Sequence, residues 1–256
     1  MGRTYLFLSG KGGTGKTTLS TSLGIALARK GKRTVLVDAD IGLRCADLLL
    51  GMENDILYDL SDVAELRCTL PQALVHCREA QGFSVLSAPQ MMKPSELDKL
   101  RLAAIIEELK LDYDYILIDC PAGLGRGLRN FWSTAEEAIV VTTPDDASVR
   151  AAERLSQLLF EKKNIHPRMI LNRADRLLVR VGEEQRPSVI SGRTDMQLLG
   201  VVPDSPDVYR ALLKHKTALL SDSISVRHAI TRIADRIEGI ERRFPRYCRS
   251  QIRSQI

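Results

Sequence analysis

The sequence predicts an α/β fold in which a mostly parallel central sheet is flanked by helices on both faces. Three observations carry this. Short apolar runs alternate with stretches of helical period along most of the chain, as repeated strand–helix–strand crossovers do. Several runs, such as Val35–Val37 and Ile116–Ile118, are continuous rather than alternating, which suits strands covered on both faces. Between the first run and the first helical stretch lies Ser9-Gly-Lys-Gly-Gly-Thr-Gly-Lys-Thr-Thr18, a glycine-rich strand-to-helix turn.

Taken in order, Tyr5–Ser9 reads as the first strand, and the helix after the turn ends near Lys30-Gly31. Thr34–Asp38 is the second strand and Phe83–Ser87 a short third. From Pro94 to Lys110, apolar residues at 97, 100, 102, 105, 106 and 109 follow a helical period. Tyr115–Asp119 and Ala138–Thr142 are buried strands separated by a glycine-rich turn and a short helix. Ser148–Phe160 reads as helix and Arg168–Asn172 as strand. Pro187 and Gly192 interrupt residues 174–197, so loop with short helical pieces is expected there. Leu198–Val202 is the last strand. Ile230, Ile233, Ile237, Ile240 and Phe244 then recur at spacings of three and four, predicting a core-facing helix that Pro245 ends. One domain over 1–244 and a basic tail over 245–256 are expected.

Composition narrows the function classes. Apolar residues make up 44% and charged residues 27% of the 256, an ordinary globular balance. The first strand begins almost at the N-terminus, so a secretory leader is not expected, and no apolar run approaches the ~18 residues of a membrane span. Five cysteines, at 45, 68, 77, 120 and 248, form no C-x-x-C pair, which favours reduced thiols in a cytoplasmic protein over structural zinc. Residues 227–256 hold eight arginines and three acids. That surplus of five equals the net charge of the whole chain, +5, and implies contact with an anionic surface, membrane or nucleic acid.

The glycine-rich turn carries the chemistry. Gly10, Gly15, Lys16 and Thr17 satisfy G-x-x-x-x-G-K-[ST]. Such glycines let successive N–H groups converge on phosphate oxygens at a helix N-terminus. Lys16 is then expected to reach the β- and γ-phosphates and the Thr17 hydroxyl to ligate Mg2+. Ligands of open α/β sheets sit beyond the strand carboxyl ends. Asp38 with Asp40, Asp119, and Asn172 occupy such ends. Asp119, after four apolar residues, has the form of an acid that helps to hold Mg2+. Asp38 and Asp40 point the same way if extended geometry persists, one toward the metal and one toward the attacking water. A second lysine of interest, Lys11, stands where the general pattern asks for nothing.

Lys11-Gly-Gly-Thr-Gly-Lys-Thr-Thr18 resembles the deviant Walker A motif of the MinD/ParA family of P-loop ATPases, in which the early lysine is diagnostic. Val37-Asp-Ala-Asp-Ile-Gly-Leu-Arg44, Asp119-Cys-Pro-Ala-Gly123, Leu171-Asn-Arg173 and Gly200-Val-Val-Pro203 extend the similarity to about residue 244, nearer the MinD branch than the ParA branch. The resemblance implies ATP and Mg2+ as cofactors. The loop Gly10, Lys11, Gly12, Gly13, Thr14, Gly15, Lys16, Thr17 and Thr18 would hold the phosphates. Thr17, Asp38 and Asp119 would hold the metal, and Asn172, Arg173, Pro203 and Asp204 the adenine. Lys11 would cross an ATP-bound homodimer to the partner's phosphates, and Asp40 would position the hydrolytic water. Hydrolysis would be slow and dimer-dependent, and would drive a spatial switch in division-site placement with MinC- and MinE-type regulators. The alternative is a ParA-like or flagellar-placement scaffold that binds nucleoid DNA or a polar partner.

MinD-like proteins end in a basic amphipathic helix that enters the membrane, which implies peripheral attachment to an anionic membrane surface at the inner face. Here Cys248, Ile252 and Ile256 form a narrow apolar stripe flanked by Arg246, Arg249 and Arg253. Two isoleucines contribute at most about 1.5–3 kcal/mol each and each arginine ~1 kcal/mol. Helix ordering takes much of this back, so two tails acting together on one dimer are expected to bind where one does not.

Overall fold

A computed structural model of the chain describes residues 1–91, 96, 98–123, 125, 130–134 and 136–248. Its sheet has eight strands in the order β3-β4-β2-β5-β1-β6-β7-β8. These are β1 (Arg3–Leu8), β2 (Thr34–Asp38), β3 (Leu74–His76), β4 (Phe83–Leu86), β5 (Tyr115–Asp119), β6 (Glu137–Thr142), β7 (Arg168–Ala174) and β8 (Gln197–Pro203). All pair in parallel except β3, a short edge strand antiparallel to β4 that the sequence did not signal. Successive side chains of each strand serve opposite faces. Leu6, Leu8, Val35, Val37, Ile116 and Ile118 enter one core, and Tyr5, Phe7, Leu36 and Leu117 the other.

The helices fill both layers. The described ones are α1 (Lys16–Ala28), α2 (Ala46–Leu50), α3 (Leu60–Ala64), α4 (Leu70–Ala73), α5 (Lys99–Asp112), α6 (Asp146–Lys163), α7 (Arg176–Val181), α8 (Pro187–Thr194), α9 (Pro206–Leu212) and α10 (Ile224–Ile237). α5, α6 and α8 cover the first face, and α1 and α10 the second. The register sets Asp38 of β2 beside Asp119 of β5, and Asp119 beside Phe7 of β1. Two acids therefore finish level with the strand that feeds the glycine-rich turn.

Three expectations are corrected. Pro187 opens α8 rather than interrupting a helix, since proline at the first helical turn costs no hydrogen bond; Gly192 sits inside it in open space. α5 begins after Asp98, whose side chain accepts from Leu100 N–H; residues 94, 95 and 97, placed in the expected helix, lie outside the described residues. The C-terminal helix stops at Ile237, seven residues before Phe244, because Gly239 takes the left-handed conformation (φ 83°). Ile230, Ile233 and Ile237 are buried as expected, whereas Ile240 is exposed. Phe244 is held instead beneath the Arg236 guanidinium, 3.9 Å from its ring centre.

Candidate functional site

The turn between β1 and α1 is shaped at two glycines. A Cβ on Gly10 would stand 2.5 Å from the backbone carbonyl of Ala151 in α6. One on Gly15 would stand 2.3 Å from Asn172 Nδ2, and Gly15 has φ 88°, a left-handed value that a side chain would strain. Gly12 and Gly13 face open space. Asn172 Nδ2 donates to the Thr14 carbonyl at 2.8 Å, tying the loop to the end of β7. The N-terminus of α1 has no side-chain cap and no acid in its first turn, so its N–H groups and dipole are free for an anion. Thr14 Oγ1 is buried without a hydrogen-bond partner among the described residues. An orphaned donor at the mouth of an uncapped helix fits a phosphate.

Behind the loop, Lys16 Nζ donates to Asp119 Oδ1 at 2.7 Å and the Thr17 hydroxyl to Asp119 Oδ2 at 2.6 Å. Lys16 and Asp119 are both almost fully buried. Burial alone would lower the Lys16 pKa, but attraction to Asp119 outweighs it and the pKa rises. Asp38 accepts from the N–H groups of Asp40 (2.9 Å) and Ala46 (3.1 Å). Burial first, and then the Asp119 charge, push its carboxyl up to about 7. Thr17, Asp38 and Asp119 thus offer a hydroxyl and two carboxylates, the hard oxygen donors that Mg2+ accepts alongside phosphate oxygens. No all-protein cage of three or more His, Cys, Asp or Glu occurs among the described residues, and Mg2+ with a nucleotide needs none.

Asp40 departs from the extended geometry that would align it with Asp38. β2 ends at Asp38, and the Asp40 carbonyl accepts from Leu43 and Arg44 N–H in a tight turn. Its carboxyl is half-buried, and desolvation raises its pKa. Lys11 turns away from the Lys16–Asp119 pair toward α6. Its side chain is 54% exposed, and among the described residues Nζ reaches only Asp145 Oδ1, at 3.7 Å. Cys120 follows Asp119 into the core, where burial pushes its thiol far up.

A cavity of about 250 Å³ adjoins the loop, walled by Gly15, Thr18, Asn172, Arg173, Pro203 and Asp204. Its opening is set by an irregularity in the β7–β8 register between Leu171 and Ala174, where Arg173 takes φ 57°. All four residues expected at adenine therefore converge on one space. Tyr209, Val208 and Leu212 also line it; position in α9 gave no local sign of this. The other residues missed are Asp145 and Ala151, whose contacts with Lys11 and Gly10 arise only from how α6 docks.

Residues 2–174 match the family model described as an AAA domain. The septum site-determining protein MinD of Bacillus subtilis (strain 168) is 41% identical over 241 residues, covering 93% of this chain and 90% of that protein. The chain belongs to the MinD family. MinD of Helicobacter pylori (strain ATCC 700392 / 26695) is 38% identical over 240 residues, covering 91% and 89%. Among solved structures, MinD in the MinC:MinD cell division protein complex of Aquifex aeolicus superposes with a TM-score of 0.88 at 33% identity, covering 96% of this chain and 99% of that one. MinD complexed with Mg-ADP from Pyrococcus horikoshii OT3 gives 0.82 at 29%, covering 93% and 96%. As a MinD-family protein, the chain is an ATPase of division-site placement that uses ATP and Mg2+.

Proposed function

We propose that this ATPase turns over slowly, only as an ATP-bound homodimer, and acts as a membrane-associated switch with MinC- and MinE-type regulators. The observation that supports it is the division of labour between two lysines. Lys16 is buried against Asp119, whereas Lys11 extends from the loop with one long contact to Asp145. A lysine at the mouth that serves nothing in its own site is available to the facing protomer's phosphates.

Within each site, Lys16 moves from Asp119 toward phosphate oxygens, and Thr17, Asp38 and Asp119 hold the metal. When bound, Mg2+ would neutralise negative charge on the phosphates. The phosphate loop fixes the nucleotide through N–H groups already oriented by Gly15 and Asn172. Asp40, half-buried and with a raised pKa, orients the attacking water and draws off its proton as charge develops. Asn172, Arg173, Pro203 and Asp204 seat the base.

Two substitutions test this. Lys11→Ala is expected to abolish ATP-induced dimerisation in sedimentation and to lower phosphate release by roughly 10³-fold, the scale of a charge supplied in trans. Asp40→Ala is expected to dimerise normally with ATP while turnover falls by about 10²-fold. A Lys11→Ala monomer that hydrolyses ATP at the parental rate would overturn the shared site.

Peripheral attachment at the inner membrane face is assigned to the tail, residues 245–256. No helix among the described residues is long and apolar enough to cross a membrane. Cys248, expected on the exposed stripe, is buried against the domain, and residues 249–256, with Ile252 and Ile256, lie outside the described residues. The attachment thus rests on those two isoleucines and on Arg249 and Arg253. ATP-dependent retention on plasmid DNA with none on anionic liposomes would overturn it.

A further inference from the structure

We propose that the outer face of α7 and α8 is a second contact with anionic lipid, lying beside the root of the tail. This rests on the membrane attachment proposed above and adds a surface to it.

α7 has the sequence Arg-Leu-Leu-Val-Arg-Val. Only Val179 turns inward; Leu177, Leu178 and Val181 are 67, 38 and 69% exposed. Val181 follows Leu178 by three residues and Leu177 by four, which puts all three toward one side of the helix. Val189 of α8 is 50% exposed as well. An outward apolar stripe on a helix this short gains nothing for the fold. Arginines lie to one side of it. Arg176 and Arg180 lie on α7 itself, and with Arg186 and Arg246 they line a cleft of about 650 Å³ between α7 and the segment Pro245–Tyr247.

None of these four arginines makes an ion pair or side-chain hydrogen bond among the described residues. Some arginines elsewhere are engaged: Arg168 with Glu137, Arg193 with Asp146, Arg242 with Asp235. The nearby acids are mostly turned to local work. Asp175 caps α7, and Glu184 accepts from Asp175 N–H, which leaves Glu183 as the exposed acid of the connecting turn.

The occupant follows from charge and from where the tail starts. Unpaired guanidinium groups flanking exposed aliphatic side chains match a bilayer surface, where arginines meet phosphate while leucine and valine enter the acyl boundary. A second copy is disfavoured, because a two-fold contact would set this arginine-rich face against itself. The turn Arg246–Cys248 packs on both α7 and α8, so the last described residues before the tail's Arg249 and Arg253 lie against this face. Contact by α7 would also hold the domain close to the surface rather than tethered at a distance.

The test uses the full chain with ATP and Mg2+, sedimented with vesicles of phosphatidylcholine alone or mixed with phosphatidylglycerol. Leu177→Ser with Val181→Ser, and separately Arg176→Glu with Arg180→Glu, are each expected to lower affinity for the anionic vesicles about tenfold, with vesicle-free dimerisation and ATP turnover at parental values. Ile252→Glu is expected to lower it through the tail alone. A Val181→Trp variant gives an independent readout. Its emission is expected to be quenched by brominated acyl chains more than that of the parent, whose only tryptophan is Trp132. Parental affinity in both paired variants, with no added quenching, overturns the α7 contact and leaves the tail standing. Loss of ATP-driven dimerisation without vesicles overturns it in favour of an interface between copies. Failure of the parental chain to sediment with anionic vesicles overturns the tail reading and this contact together.

Discussion

Lys16→Ala is expected to remove ATP turnover and to destabilise the protein by about 3–5 kcal/mol, the cost of deleting one partner of a buried ion pair. The ammonium stands 2.7 Å from Asp119, with both side chains almost fully buried. Asp38 is the paired neighbour of Asp119 across β2 and β5 and is itself buried. Without Lys16, two carboxylates of like charge face each other with no cation, and the neighbouring Thr17 hydroxyl can satisfy only one oxygen of Asp119. Urea unfolding in chelator is the measurement. A Lys16→Ala, Asp119→Ala double variant should recover much of the lost stability, because it removes the uncompensated charge as well as the pair. It should recover no activity. If the single variant unfolds at the parental midpoint, the pair carries little of the stability and the burial argument fails.

What the sequence made legible is what local patterning encodes. The phosphate loop could be read because glycine spacing, the strand before it and the helix after it all lie within about thirty residues, and β1, α1 and β2 fall close to where periodicity put them. Asp119 could be read because four apolar residues precede it. Its grip on Lys16 could not, since that depends on β5 lying next to β1, a pairing of residues more than a hundred positions apart. The C-terminal helix shows the opposite failure. The isoleucine period runs past Gly239 in sequence, but the left-handed turn at that glycine redirects the chain. Part of the basic surplus is then used internally: Arg236 donates to the Leu199 and Arg242 carbonyls and covers Phe244, while Arg242 pairs with Asp235. Composition counted those arginines as available for an anionic partner. Only contacts could show which were already engaged.

Asp38→Asn is expected to stabilise the metal-free protein at alkaline pH while weakening Mg2+-dependent nucleotide binding. The wild-type carboxyl is pushed from 3.8 up to about 7 by burial and by Asp119. An acid whose folded pKa lies above its unfolded value binds its proton more tightly in the native state. Its burial therefore destabilises the fold above about pH 7, and the lost stability returns as the pH falls through 7 toward the unfolded value near 4. The effect is on the order of a few kcal/mol. Asparagine stays neutral throughout, although it keeps only one of the two N–H bonds from Asp40 and Ala46, which offsets about 1 kcal/mol of the gain. Melting curves in EDTA should thus separate at pH 8, with the variant higher, and draw together near pH 5. Saturating Mg2+ and ATP should reverse the order at pH 8, because the cation stabilises the charged carboxylate of the parent and gains much less from the amide. Parallel melting profiles for the two proteins across this range would mean that Asp38 is not held in strained burial, and that the site does not trade fold stability for metal affinity.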